Sequence, residues 1–145
     1  MKLLVDADGC PVTDLCIREG NARGAEVVLF CDTAHILNRE GARTVVVEKG
    51  ADSADFALVN HVQKGDVVVT QDYGLAAMCL SRGAIPIRQD GLIYDAFNID
   101  ALLMARHTAS KIRRGGGRLK GPKKRTEAED AAFLKVLAGI LDQRL

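Results

Sequence analysis

Short apolar runs that end in Asp, Gly or Pro recur along this chain. The first, Lys2-Leu3-Leu4-Val5, stops at Asp6-Ala7-Asp8-Gly9-Cys10-Pro11. A run of that length bounded by turn residues reads as a buried strand. Pro11 suits the first position of a helix, where its missing N–H is no loss. The pattern therefore predicts a strand, a tight turn and a helix over 11–23 that ends near Gly24, with Val12, Leu15 and Cys16 on one face. Residues 26–30 predict a second strand, and residues 43–48, rich in β-branched side chains, a third. The connection over 31–42 has room for a turn of helix around Ile36 and Leu37. Asp52 or Ser53 can cap a helix running to about Gln63.

Residues 66–70 form a fourth apolar run. After it, Gln71-Asp72-Tyr73-Gly74 turns into a helix over 75–82, which Gly83 ends. Residues 84–88 make a fifth strand that Pro86 confines to a sheet edge. Asn98 can cap a helix from Ile99 to about Arg113, and Thr126-x-x-Glu129 is a capping box. The last helix carries an apolar stripe of Phe133, Leu134, Leu137, Ile140 and Leu141, which needs a core to cover. Fully apolar strands alternating with helices predict an α/β fold: a three-layer αβα sandwich on a mainly parallel sheet of about five strands, with right-handed crossovers. One domain over 1–145 is expected, including a flexible basic loop at 114–125 and a docking helix at 127–144.

Composition excludes more than it selects. A chain of 145 residues buries enough surface to fold without disulfide or metal staples. Its four cysteines form no Cys-x-x-Cys pair, so they read as small buried apolar residues in a reducing compartment. Cys31-x-x-x-His35 has no second half with zinc-site spacing. No apolar run is long enough to span a membrane, and charges at positions 2, 6 and 8 break any signal peptide. A cytoplasmic protein with no membrane partner is expected. Aromatic residues are 4% of the chain and Trp is absent, which weighs against a stacking platform of the kind that grips single-stranded bases. No Walker lysine or dinucleotide fingerprint is present.

The net charge of +1 conceals segregation. Residues 1–100 hold 9 Lys+Arg against 15 Asp+Glu. Residues 101–125 hold 9 basic residues and no acid, and residues 126–145 hold 2 against 4. The basic stretch is Arg106, Lys111, Arg113, Arg114, Arg118, Lys120, Lys123, Lys124 and Arg125. Without aromatic interleaving it would hold a phosphate backbone by charge, with little preference for sequence.

The acids lie at the other pole. Asp6 and Asp8 follow the first strand, Asp52 and Asp55 the third, Asp72 the fourth and Asp90 the fifth. A single Asp at such a position is usually a cap or turn residue. In a parallel sheet, however, all of these ends share the edge where ligands bind. Two carboxylates about 4 Å apart repel by roughly 4 kcal/mol at an effective dielectric of about 20, so a gathered set needs a cation. Hard oxygen donors point to Mg²⁺ or Mn²⁺, with Thr70 and Ser53 as supporting hydroxyls.

Asp6-Ala7-Asp8-Gly9-Cys10-Pro11-Val12, Ala51-Asp52-Ser53-Ala54-Asp55, the run from Gly65 to Ala76, Asn98-Ile99-Asp100 and the Arg-Gly-Gly and Gly-Pro-Lys loop together resemble the bacterial YaiI/YqxD family over nearly the whole chain. That family is grouped with PIN-like domains, which are metal-dependent nucleases. The resemblance implies that the first acid of a PIN site falls on Asp6, the helix acid on Asp55 or Asp52, and the Thr-x-Asp element on Thr70-Gln71-Asp72. Asp8 is additional, the helix acid is Asp where Glu is common, and only Asp90 stands near a fourth position. The implied function is a Mg²⁺- or Mn²⁺-dependent nuclease acting on RNA. Asp6, Asp8, Asp55 and Asp72 would be catalytic, Asp52 would join them around the metal, and the basic stretch would hold the nucleic acid. Two other readings stay open: a non-catalytic RNA-binding module, and a phosphatase of the haloacid-dehalogenase type using Asp6 and Asp8.

Overall fold

In the computed structural model, residues 1–32, 38–47, 53–105 and 125–144 are described, apart from the side chains of Ser53 and Arg144. The five strands are β1 (Lys2–Asp6), β2 (Glu26–Asp32), β3 (Arg43–Val47), β4 (Val67–Val69) and β5 (Ile85–Ile87). The helices are α1 (Thr13–Ala22), α2 (Ser53–His61), α3 (Tyr73–Ser81), α4 (98–105) and α5 (Glu127–Arg144). The strands form one all-parallel sheet in the order β3-β2-β1-β4-β5. The chain runs outward from β1 through β2 to β3, then returns to the far side of β1 for β4 and β5. The strand order therefore reverses between β1 and β4.

Side-chain alternation divides the apolar strands between two cores. Leu3, Val5, Val27, Leu29, Val67, Val69 and Ile87 pack under Val12 and Cys16 of the α1 segment and Phe133, Leu137, Ile140 and Leu141 of α5. Leu4, Val28, Phe30 and Val68 face Leu58 and Val59 of α2 and Leu75 and Cys79 of α3. The α1 helix lies so close to β2 that a Cβ on Gly20 would meet Val27 Cγ2 at 2.5 Å, so this position excludes any larger residue. All four cysteines are free thiols, three of them buried.

Most of the expected elements are present, with shifted ends. The α1 helix begins at Thr13 rather than Pro11, because Gly9 takes φ 69° and the Cys10 N–H bonds back to the Ala7 carbonyl. That turn holds Pro11 ahead of the helix. β2 continues two residues past Phe30 to Asp32, which pairs with Val47 of β3. β5 does lie at the sheet edge, as Pro86 requires. Gly83 ends α3 with φ 80°, the left-handed conformation that glycine adopts without a Cβ penalty. The cap of α4 differs from expectation. Asp95 Oδ1 accepts the N–H groups of Phe97 and Asn98, while Asn98 Oδ1 accepts the Asp95 N–H. Asp95 is thus the cap and Asn98 its reciprocal partner. The helix turn expected around Ile36 and Leu37 lies outside the described residues.

The Thr126–Glu129 capping box forms as read: the Glu129 N–H donates to Thr126 Oγ1 at 3.2 Å and the Thr126 N–H to Glu129 Oε1 at 3.2 Å. Thr126→Ala, which removes the hydroxyl half, is expected to cost about 1 kcal/mol. In a urea titration this lowers the midpoint and leaves the slope unchanged. Among the described residues no helix is long and apolar enough to cross a membrane.

Candidate active site

Asp6 is the last residue of β1, and Thr70 directly follows β4. The register that pairs Leu4 with Val68 and Val5 with Val69 brings these two residues side by side at the carboxyl edge. Both have the parity of Leu4 and Val68, so both side chains emerge on the α2/α3 face. The Thr70 hydroxyl donates to Asp6 Oδ2 at 2.8 Å and accepts the Asp72 N–H at 3.0 Å. One buried hydroxyl thus ties two acids that are 66 residues apart in sequence. Asp72 is also the N-cap of α3, with its Oδ1 accepting the Leu75 N–H at 3.1 Å. The positive end of the α3 dipole offsets part of its charge. Behind Thr70, the buried Tyr94 hydroxyl donates to the Thr70 carbonyl at 3.1 Å, and the Thr70 N–H donates to Ile87 O at 3.1 Å. The Asx and capping preferences of Asp72 therefore do not compete with a role in a site, because one oxygen serves the helix.

Asp6, Gln71, Asp72 and Tyr73 line a pocket of about 370 Å³. It opens where the strand order reverses, the position at which open α/β sheets bind ligands. Burial pushes the Asp6 carboxyl above its ordinary range. The Thr70 hydroxyl pulls it back, and the charges of Asp72 and then Asp8 raise it further. Asp8 lies close enough to act on Asp6, yet its Oδ2 accepts the Asp32 N–H at 3.1 Å, across the end of β2. Asp55 stands half-buried in the first turn of α2. Asp55 and Asp6 both raise the Cys79 thiol, which burial, the largest cause, pushes up to about 12. Asp55 does not line the pocket.

Asp32 is a further acid at this edge, beyond the candidates the sequence offers, and it too ends an apolar run. The parity of Phe30 and Asp32 sets it on the same sheet face as Asp6. Asp90, the nearest match to a fourth acid, is instead clamped by Arg88, whose Nε and Nη2 donate to its two oxygens at 2.8 and 2.7 Å. The Arg88 guanidinium holds the Asp90 carboxyl below its ordinary range.

Among the described residues no three His, Cys, Asp or Glu side chains converge as a ready-made metal cage. Mg²⁺ does not ask for one. It keeps several waters and takes one or two carboxylates together with substrate phosphate. Asp6 and Asp72 are the residues on the pocket that could hold such an ion, and a desolvated carboxyl facing two like charges would gain from a cation. Asp52 and, in the basic stretch, Arg106, Lys111, Arg113, Arg114, Arg118, Lys120, Lys123 and Lys124 lie outside the described residues, as does the Ser53 side chain. Arg125 is described. Its Nε donates to Asp130 Oδ1 and its Nη2 to Gln89 O, each at 2.6 Å, which fixes the junction with α5.

Residues 4–143 match the family model described as "Uncharacterized BCR, YaiI/YqxD family". The chain belongs to the YaiI/YqxD family. Relatives of this family carry the name UPF0178 protein. The one from Exiguobacterium sibiricum is 54% identical over 99% of this chain and 99% of its own length. Those from Ruminiclostridium cellulolyticum and Clostridium acetobutylicum are each 49% identical, over 94% and 92% of this chain and 90% and 91% of their own lengths. No solved structure matches the chain.

Proposed function

We propose that this YaiI/YqxD protein is a PIN-like, metal-dependent nuclease that hydrolyses phosphodiester bonds in RNA. The observation that carries the reading is the Asp6–Thr70–Asp72 linkage at the reversal of the strand order, with both acids on one pocket. Asp6 and Asp72 would hold Mg²⁺ or Mn²⁺. Bound there, such an ion supplies Lewis-acid stabilisation of phosphoryl oxygens and a water of lowered pKa. Thr70 fixes the Asp6 carboxylate, and the α3 N-terminus fixes Asp72, so neither acid needs to reorganise during the reaction. Gln71, on the pocket wall, can orient a water or a phosphate oxygen. Asp8 and Asp55 contribute negative charge around this centre. The basic stretch, from Arg106 to Lys124, would hold the phosphate backbone by charge.

The test is cleavage of a labelled single-stranded RNA in Mn²⁺ or Mg²⁺. Activity that EDTA abolishes and excess Mn²⁺ restores is expected, together with weaker Mn²⁺ binding in Asp72→Asn by calorimetry. Cleavage indifferent to EDTA overturns the reading. RNA affinity without cleavage in any metal identifies a binding module instead. A phosphatase of the haloacid-dehalogenase type would need Asp8 on the pocket wall beside Asp6, and Asp8 is not among the lining residues.

The basic stretch makes a separate prediction. If it neutralises six phosphates of a single strand, log affinity falls with log salt at a slope of about −4, from about −0.7 per phosphate. A slope near zero, measured by anisotropy between low and moderate salt, removes the stretch from the binding surface.

A further inference from the structure

The chain has two tyrosines, one on the wall of this pocket and one buried behind it. Tyr94 is buried and braces Thr70 from behind. Tyr73 is half-buried on the pocket wall, with its ring edge-to-face against Tyr94 at 6.0 Å between centroids. A third residue engages it. Arg88, just past the end of the neighbouring strand β5, lies close enough to act electrostatically on Tyr73, while Asp90 grips the guanidinium at two points. The tyrosine is thus backed at its ring by Tyr94, with the Asp90-bound guanidinium nearby. An aromatic side chain with two χ angles, packed against a buried neighbour, presents its surface at little entropic cost.

We propose that Tyr73 is the base-recognition wall of the pocket, on which an unpaired base of single-stranded RNA stacks, and that Arg88 with Asp90 positions it. This rests on the nuclease reading for the identity of the ligand. A volume of about 370 Å³ is at the small end for ligand pockets and suits one splayed nucleotide rather than a paired step. The Asp6–Asp72 side would receive the phosphate with its metal, and the Tyr73 side its base. A stacking contact is tolerant of sequence, because every base has a π face. A duplex, whose bases stay stacked on one another, gains nothing from it.

The experiment uses the full-length chain in an Asp6→Asn background, which removes cleavage as a variable. A 12-mer single strand carrying one 2-aminopurine, and its duplex, serve as probes for anisotropy and fluorescence. Tyr73→Leu keeps apolar bulk without a π face. It is expected to weaken single-strand binding about tenfold, abolish 2-aminopurine quenching and leave duplex binding unchanged. Tyr73→Phe keeps the quenching, and Arg88→Ala reduces it. Equal affinity and quenching in Tyr73→Leu, with an unchanged melting temperature, overturn the proposal even if the wild type cleaves RNA. A wild type that cleaves nothing but shows the Tyr73-dependent quenching overturns the nuclease reading and leaves this one standing.

Discussion

Asp6→Asn is expected to abolish cleavage and at the same time raise the melting temperature of the metal-free protein. Loss of a preorganised charge at a reacting centre costs about a hundred- to a thousandfold in rate. The gain in stability has a separate origin. Asp6 is desolvated, sits among the charges of Asp72 and Asp8, and has the Thr70 hydroxyl against it. The amide keeps an oxygen for Thr70 and drops the charge. A stabilisation of about 1 kcal/mol is typical where an active-site strain is relieved, equivalent to roughly 2–4 °C in a chain of this size.

The pH dependence follows from the direction of the shift. The folded value of Asp6 lies above its unfolded value, which is near 4. Below that pH both states hold the proton, so wild type and Asp6→Asn differ little. As pH rises through the folded value the native state is forced to carry a buried charge, and wild-type stability is lost relative to the variant. The gain is therefore largest at neutral pH and vanishes toward pH 4. Scanning calorimetry at pH 4 and pH 7.5 in EDTA reads both. A variant that is less stable than wild type at neutral pH refutes the strained-carboxylate account, and one that cleaves at the wild-type rate refutes the role of Asp6.

Much of this was legible in the sequence, and for physical reasons. The short apolar runs at 3–5 and 67–69, bounded by turn residues, read as interior strands, and parallel pairing then puts Asp6 and Asp72 on one edge whatever lies between them. The Thr126–Glu129 box is local chemistry, complete within four residues. What escaped the sequence was non-local. Asp32 looked like part of a connection, because its pairing with β3 and its N–H bond to Asp8 depend on partners 15 and 24 residues away. The alternative cap of α4 turned on whether Asp95 or Asn98 reached the backbone first, which spacing alone does not decide. The contact between Tyr73 and Tyr94 beside the pocket joins residues 21 apart, which composition does not report. Nor could Asp90 be removed from the acidic set until Arg88 was seen across it.

Thr70→Val is expected to damage both stability and activity, because one hydroxyl connects the two acids. The side chain is wholly buried, and valine matches its shape. The substitution therefore leaves little cavity but strands two polar groups. The Asp72 N–H loses its acceptor and Asp6 loses its donor. Each unsatisfied group costs about 1–3 kcal/mol, so a loss of roughly 3 kcal/mol at neutral pH is expected from denaturant titration. The Asp6 half of that loss has a sign in pH. Without Thr70 the folded value of Asp6 rises further, so the deficit shrinks on acidification once the carboxyl is protonated, while the Asp72 N–H half persists. Activity should fall about ten- to a hundredfold, the usual effect of removing a group that orients ligands from behind. Thr70→Ser, which keeps the hydroxyl and drops a methyl, should recover most of the rate. If valine and serine lose equal activity, the hydroxyl does not connect the acids in solution, and the two-carboxylate site loses the bond that makes it one site.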